Sequence, residues 1–585
     1  MYFNKNKINK LISFSLLFSS NFVFSSQNIQ PLSTTYDKAV IQDIAEFAEL
    51  VHRIRYFYPS ETNNATQWEY FLKYSISEIL KLPTEDRLEH GLILLKSVTP
   101  LIEREKSKLP ELKESEQLYH WINFGPRQYN FFFRVILKSD PQYIPAPNAL
   151  VYSDWYNGQE LHWPLFSRKQ DLHLGKVHHS IDGPVSLEDP ATCMAAVSSI
   201  WGEIHHFWPY FEQVSVDWES SHVELLNGCL GDIDKLEQVI RTEFTKLQDN
   251  HVWVGLPREY RESNFYRLPL DIDHIEGKAI VTNKTSYLTL QAEIGDELIS
   301  IDGTPTDKLI ENYKNQTLKS VHRAETMATR MLPRLYNAPQ LVDLEFKKPD
   351  GRVITTSTAS IHDNVIGPFN RPAKDGSVIQ QLGDGIIVFR PHKLSNHDAL
   401  QTAKLALADS HGVILDMRGY PSNLMLTNQA LGMFTDNPLK LGEFSFFIQL
   451  LPNREQAFKA EQLSPTPATP QLFNVPIVAM AGRNNQSAGE HMMQWVQSMG
   501  IPIVGEVTAG INGEHVHAQL FGGHANGGIS FRYTGSLSNQ FDGSKLIGVG
   551  IQPDILTPIT QESIQQNRDI QMQAAITQLK RMMQH

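Results

Sequence analysis

Four short apolar runs in the C-terminal half, 386–389, 412–415, 475–480 and 501–504, constrain this chain more than any other feature. A strand that is apolar at nearly every position has no face to give to water, so it belongs inside a sheet covered on both sides. Segments with helical spacing separate the runs, which predicts an α/β core with helices on both faces. Residues 465–470, rich in proline, are expected to form an exposed loop before the third run. At 585 residues the chain exceeds one such core, and about 150 residues per domain gives three or four units.

The third run leads into GRNNQSAGE (482–490) and then a helix with Met492, Trp495, Val496 and Met499 on one side, closed by Gly500. Ser487 therefore stands at a strand–loop–helix junction. The first turn of a helix has unpaired N–H groups and the positive end of the dipole. A serine there can attack a carbonyl while the Ala488 amide holds the developing oxyanion. Taken alone, Ser-Ala-Gly-Glu reads as a helix N-cap.

Three further segments accompany it: GVILDMRGYPSN (412–423), IPIVGEVTAG (501–510) and GVGIQPDI (548–555). In this order and spacing, with NNQSAGE (484–490), they resemble the tail-specific (C-terminal-processing) serine peptidase family, which includes the tricorn core protease. The resemblance covers about residues 190 to 580. It implies a crotonase-like (ClpP-like) α/β core with an inserted PDZ-like domain. IGDELISIDGTP (294–305) suits that insert, its Gly295-Asp296 and Asp302-Gly303 pairs being turn chemistry. The family implies acyl transfer on polypeptide substrates without a cofactor. Ser487 would be the nucleophile, and the Ala488 and Gly419 amides the oxyanion hole. Asp416 and Arg418, just before Gly419, read as a structural pair.

A serine hydroxyl needs a base. One branch of the family uses a lysine about 25 residues after the serine, and Ile511 stands there. The tricorn-like branch places a small polar residue and then a histidine after a cap helix and before a strand. Asn250-His251 fits: it follows the face Ile233, Leu236, Val239, Ile240, Phe244 and Leu247, and precedes 252–254. The resemblance therefore implies a Ser–His enzyme with His251 as base. Without it, a histidine at a helix end reads as a partner of the dipole. His515, His517 and His524 are rivals; no carboxylate shares the spacing of the first two, so no metal is expected. The tricorn-like pattern has a glutamate six residues before the proline of the Pro-Asp signature, where this chain has Ile547. Asp542, Glu506 and Asp249 stand as candidates for the orienting acid. The missing Lys and Glu also suit a non-hydrolytic ligand- or peptide-binding protein on this scaffold; interphotoreceptor retinoid-binding protein shares the architecture.

Upstream, two segments match at an offset of 150. Pro59 pairs with Pro209, Trp68-Glu69 with Trp218-Glu219, Ile54 with Ile204 and Phe57 with Phe207. Each copy reads as an amphipathic helix stopped by proline, a loop and a second helix. Its aromatic stripe and the His205-His206 pair read as core. Between the copies, alternation with turns at Asn157-Gly158 and Asp182-Gly183 predicts β structure. The layout expected is a signal peptide (1–25), an N-terminal helical repeat (35–115), a β-rich insert (116–187), a helical cap bearing the histidine (188–262), a PDZ-like domain (263–362) and the peptidase core (370–585).

Lys5, Lys7 and Lys10 precede an apolar run at 11–24 and then Ser25-Ser26, the order of a signal peptide. The run is shorter than the roughly 20 residues of a spanning helix, so stable membrane insertion is not expected. A periplasmic or secreted protein follows. There Cys193 and Cys229 either form one disulfide or stay as two buried thiols. With 52 Lys and Arg against 64 Asp and Glu, a net −12 and no basic stretch, nucleic acid is excluded as a partner. Nothing in the chain fixes an oligomeric state, although the duplicated region is a candidate for self-association.

Overall fold

The computed structural model describes residues 36, 38–112, 117–127, 130–137, 150–179, 185–257, 266–285, 291–316, 321–334, 340–362, 377–449, 451–453, 458–461 and 470–584. Residues 1–25, the Asp182-Gly183 turn and all but the last residue of the 465–470 loop lie outside them. Among the described residues no helix is long and apolar enough to cross a membrane.

The apolar runs form a six-stranded sheet in the order Ile379–Gln381, Ile386–Phe389, Gly412–Asp416, Ile477–Ala481, Ile503–Gly505 and Ile555–Leu556. The first is antiparallel to its neighbour and the others are parallel. Successive side chains point to opposite faces. Ile387, Phe389, Val413, Leu415, Ile477 and Ala479 pack beneath the helices Leu424–Gly432 and Ala488–Ser498. Ile386, Val388, Ile414, Val478 and Met480 pack against the helix Ile570–Met583. Two strands start later than the apolar runs do, because Pro476 and Pro502 have no N–H for the ladder. Their carbonyls still accept, from Val413 and Ala479.

A second body holds strands in the order Val353–Ala359, Leu341–Lys347, Glu297–Ile301, Lys278–Lys284 and Leu270–Ile275, with helices Thr306–Lys314 and Ala324–Met331. Its core includes Val281, Leu298, Leu344 and Phe346. The Asp302-Gly303 turn takes positive φ at both residues (48° and 73°), the reason for that residue pair.

The segments related by 150 positions form helices Lys38–Phe57 and Pro190–Phe207, followed by Trp68–Ile79 and Trp218–Gly228. Both second helices begin on the tryptophan. The long helices meet where Gly202 faces His52, themselves 150 apart: a Cβ on Gly202 would lie 2.3 Å from the imidazole. Asn157-Gly158 forms the predicted turn between strands Val151–Tyr156 and Gln159–Pro164.

Cys193 and Cys229 are joined across helices Pro190–Phe207 and Trp218–Gly228, with Cα atoms 5.6 Å apart. They are 36 positions apart. On the chain-entropy account, closing a loop of that length contributes about 4 kcal/mol. Reduction with a thiol should therefore lower the melting temperature; an unchanged melting curve after verified reduction would contradict it.

A small sheet sets up the site. Strand Ile529–Thr534 pairs on one side with His515–Leu520 and on the other with Trp253–Gly255, which follows His251 directly. In this register Thr534 lies opposite His515.

Candidate active site

Ser487 precedes the helix Ala488–Ser498 in the N-cap position, yet its side chain makes no capping hydrogen bond. Its backbone has φ 54° and ψ −123°, a region an L-residue enters only under strain of about 1–3 kcal/mol. A serine serving only as a cap would adopt extended backbone and bond the first turn, as Asn423 and Asn396 do elsewhere in this sheet's helices. The turn is held by its neighbours. Ser487 N–H donates to Ile511 O at 2.8 Å. Asn485 bridges to the loop after strand Gly412–Asp416, its side-chain amide donating to Met417 O at 2.7 Å. The Gly482 N–H donates back to Asn485 Oδ1. The Ala488 N–H is the first of its helix and finds no acceptor within it.

Asn485 thus keeps the 416–419 loop beside the nucleophile turn. A Cβ on Gly419 would lie 2.3 Å from the His392 ring, so the position is closed to any side chain. Below it, Arg418 donates two bonds to Asp416, at 2.9 and 3.0 Å, and two to Asp569. Burial alone would raise the Asp416 pKa, but the Arg418 bonds and charge outweigh it and hold it near 2. Asp416 and Arg418 are tied to each other and to the Ile570–Met583 helix, a structural arrangement.

Residues 508–512 are the common support. The Glu490 carboxyl, fully buried, accepts from Thr508 Oγ1 and from the Gly510 and Ile511 N–H groups. The turn bearing His251 grips the same loop, Asn250 donating to Ala509 O at 3.1 Å, and Tyr210, after the helix Pro190–Phe207, donates its hydroxyl to Asn512 O at 2.9 Å. Ser487 and Asn250, the residue before His251, therefore both bond this loop.

His251 is 4% exposed. Asp249, on the same turn, accepts from His251 N–H (2.8 Å), Trp208 Nε1–H (3.0 Å), Thr534 N–H (3.1 Å) and Thr534 Oγ1–H (2.9 Å). Having given its one proton to Asp249, the Thr534 hydroxyl can only accept from His251 Nδ1, 2.9 Å away. The ring is thus set with its proton on Nδ1 and its lone pair on Nε2, the tautomer of a general base.

The other candidates lie elsewhere. Asp542 sits on an exposed turn bonded to Ser544. Glu506 accepts from Gln571 and faces Arg483. The His515 ring is 5.6 Å from that of His251, and His517 lies 5.0 Å beyond. His524 bonds Ser530 through Nδ1 and packs on Trp253. Among the described residues no three His, Cys, Asp or Glu side chains converge as metal ligands. Ile511 and Ile547, where the resemblance led one to look for Lys and Glu, are wholly buried. Thr534 escaped sequence reasoning, since nothing local marks a threonine in a strand 283 residues from its partner.

Residues 395–557 match the model of peptidase family S41 and residues 262–364 that of a PDZ domain. The 395–557 match indicates a serine-type peptidase whose C-terminal part is of the S41 family. Among solved structures it is similar to mature CPAF complexed with lactacystin, at 15% identity and TM-score 0.51, over 67% of this chain and 97% of that one. It is also similar to the photosystem II D1 C-terminal processing protease, at 15% identity and TM-score 0.34, over 63% and 93% of the chains. A putative peptidase from Parabacteroides merdae ATCC 43184 matches at 14% and 0.37, over 67% and 96%. Among curated proteins no relative matches by sequence. At these identities the likeness to CPAF is one of fold.

Proposed function

We propose that this protein is an exported serine endopeptidase that cleaves polypeptides through Ser487 and His251, acting in the periplasm or outside the cell. The observation that carries this reading is the Ser487 backbone, strained and without its capping bond. A turn that pays such a cost for no structural return is a turn kept for its side chain. His251 Nε2 takes the Ser487 proton as Oγ attacks the peptide carbonyl. The Ala488 and Gly419 amides bind the oxyanion; the proton passes to the leaving amine, and water releases the acyl group. Asp249 serves as the orienting acid, acting through Thr534. The core is crotonase-like and the 188–262 segment a helical cap, in the Ser–His manner of the tricorn-like branch. The PDZ domain delivers the polypeptide.

A fluorophosphonate probe tests this. Wild-type protein should label covalently, Ser487→Ala not at all, and His251→Ala at least 100-fold more slowly, on the order of losses seen when a triad base is removed. One observation favours a second reading: the buried Ile511 and Ile547 put apolar side chains where other members keep reacting or orienting groups. A folded wild-type protein that never labels would favour a non-hydrolytic carrier of peptides or other ligands.

A further inference from the structure

Among the described residues the buried Arg323 forms no direct ion pair, and only the more distant Glu490 and Asp273 charges favour its charged form. Arg323 precedes the PDZ-domain helix Ala324–Met331 and is only 6% exposed. Its hydrogen bonds are two long ones to neutral oxygens of the nucleophile turn, Gln486 Oε1 and Asn484 Oδ1, each 3.4 Å, and one to Met327 Sδ at 3.8 Å. Nε has no partner. The carboxylates nearby are committed: Asp273 to Arg330 through two bonds of 3.0 and 2.8 Å, and Glu490 to the 508–511 loop. Burial first, and the Arg330 charge next, lower the Arg323 pKa to about 10. Leaving a buried guanidinium unpaired costs several kcal/mol, and a fork of this kind matches a carboxylate through two parallel bonds. Asn484, which it touches, is exposed to solvent.

We infer that Arg323 is a specificity-determining residue that binds a carboxylate of the polypeptide lying across the Ser487 turn. The carboxylate is that of an Asp or Glu side chain near the cleaved bond. The inference rests on the peptidase reading for the identity of its ligand as a polypeptide. Charge pairing in this partly desolvated place should distinguish acid from amide by roughly 10- to 100-fold in affinity.

Binding, measured without turnover, tests it. Fluorescein-labelled decapeptides of alanine and serine, with one Glu or Gln walked along the sequence and a free or amidated C-terminus, are titrated into Ser487→Ala protein by anisotropy. Acid peptides should bind 10- to 100-fold tighter than their amide counterparts. The preference should follow the Glu position, and one that follows the free terminus instead would overturn the inference. The preference should vanish in Ser487→Ala with Arg323→Met and survive in part with Arg323→Lys. Arg323→Met should also melt at the same or a higher temperature, because an uncompensated charge has been removed. Equal binding of acid and amide peptides, a preference that persists without Arg323, or a lower melting temperature in Arg323→Met would each overturn the inference. None of these outcomes bears on probe labelling of wild-type Ser487, by which the peptidase reading stands or falls.

Discussion

In a Thr534→Val protein, fluorophosphonate labelling of Ser487 at neutral pH should slow by on the order of 10²–10⁴-fold, approaching the effect of losing the aspartate of a catalytic triad. Valine keeps the volume of threonine and removes only the hydroxyl. The His251 Nδ1–H then loses its acceptor at 2.9 Å, the bond that favours the tautomer with its lone pair on Nε2. Asp249 keeps its bonds from His251 N–H, Trp208 and Thr534 N–H, so the turn itself should stay folded. Thr534→Ser restores the hydroxyl and should label nearly as fast as wild type. The readouts are the labelling rate as a function of pH and the melting temperature measured beside it. A purely structural threonine would lower the melting temperature and leave the rate of the folded fraction alone. Wild-type labelling in Thr534→Val would show that the ring is oriented by something else.

The parts of this protein that were legible in its sequence are those written in local pattern. Runs such as 412–415, apolar at each position, require cover on both faces of a sheet, and that sheet is present with Val413 and Ile414 pointing to opposite cores. The Asp302-Gly303 pair needs positive φ and marks its turn. Ser487 could be singled out from its junction and its companions, although its strain could not, because φ depends on how Ile511 and Asn485 hold the turn. Long-range register was out of reach. Three strands spread from residue 253 to 534 must pair before Thr534 meets His251 and Asp249. No periodicity encodes which strand joins which, and a shift of one residue would turn the Thr534 hydroxyl to the opposite face. Arg323 was hidden for a related reason. An arginine before a helix reads as solvated surface until a second domain buries it against the nucleophile turn.

Glu490→Ala should be among the most destabilising single substitutions in the core. Its carboxyl accepts from Thr508 Oγ1, Gly510 N–H and Ile511 N–H, all in a dry interior, and each donor stranded there costs about 1–3 kcal/mol. Since Ser487 N–H rests on Ile511 O, the nucleophile turn should loosen with the loop, and labelling should fall together with the melting temperature. Glu490→Gln isolates the charge. Burial raises the Glu490 pKa from 4.5 to about 7, prevailing over the three hydrogen bonds and the Arg323 charge that favour the ionised form. The folded protein therefore holds this proton more tightly than the unfolded chain does. The stability from that proton is fully present below pH 4.5 and is lost as pH rises towards 7. Over that interval the loss is about 3 kcal/mol, at about 1.4 kcal/mol per pH unit. Glutamine has no proton to lose, so its cost should be the same at every pH. Glu203, raised to about 8, and His222 and His491, lowered to about 3 and 4, titrate in both proteins and cancel in the difference. Denaturant unfolding of the pair at pH 5 and pH 7 should thus show wild type losing ground to Glu490→Gln as the pH rises. A difference that stays flat, or moves the other way, would mean that the three donors keep Glu490 ionised throughout and that the loop is held by a charge rather than by a carboxyl sharing its proton.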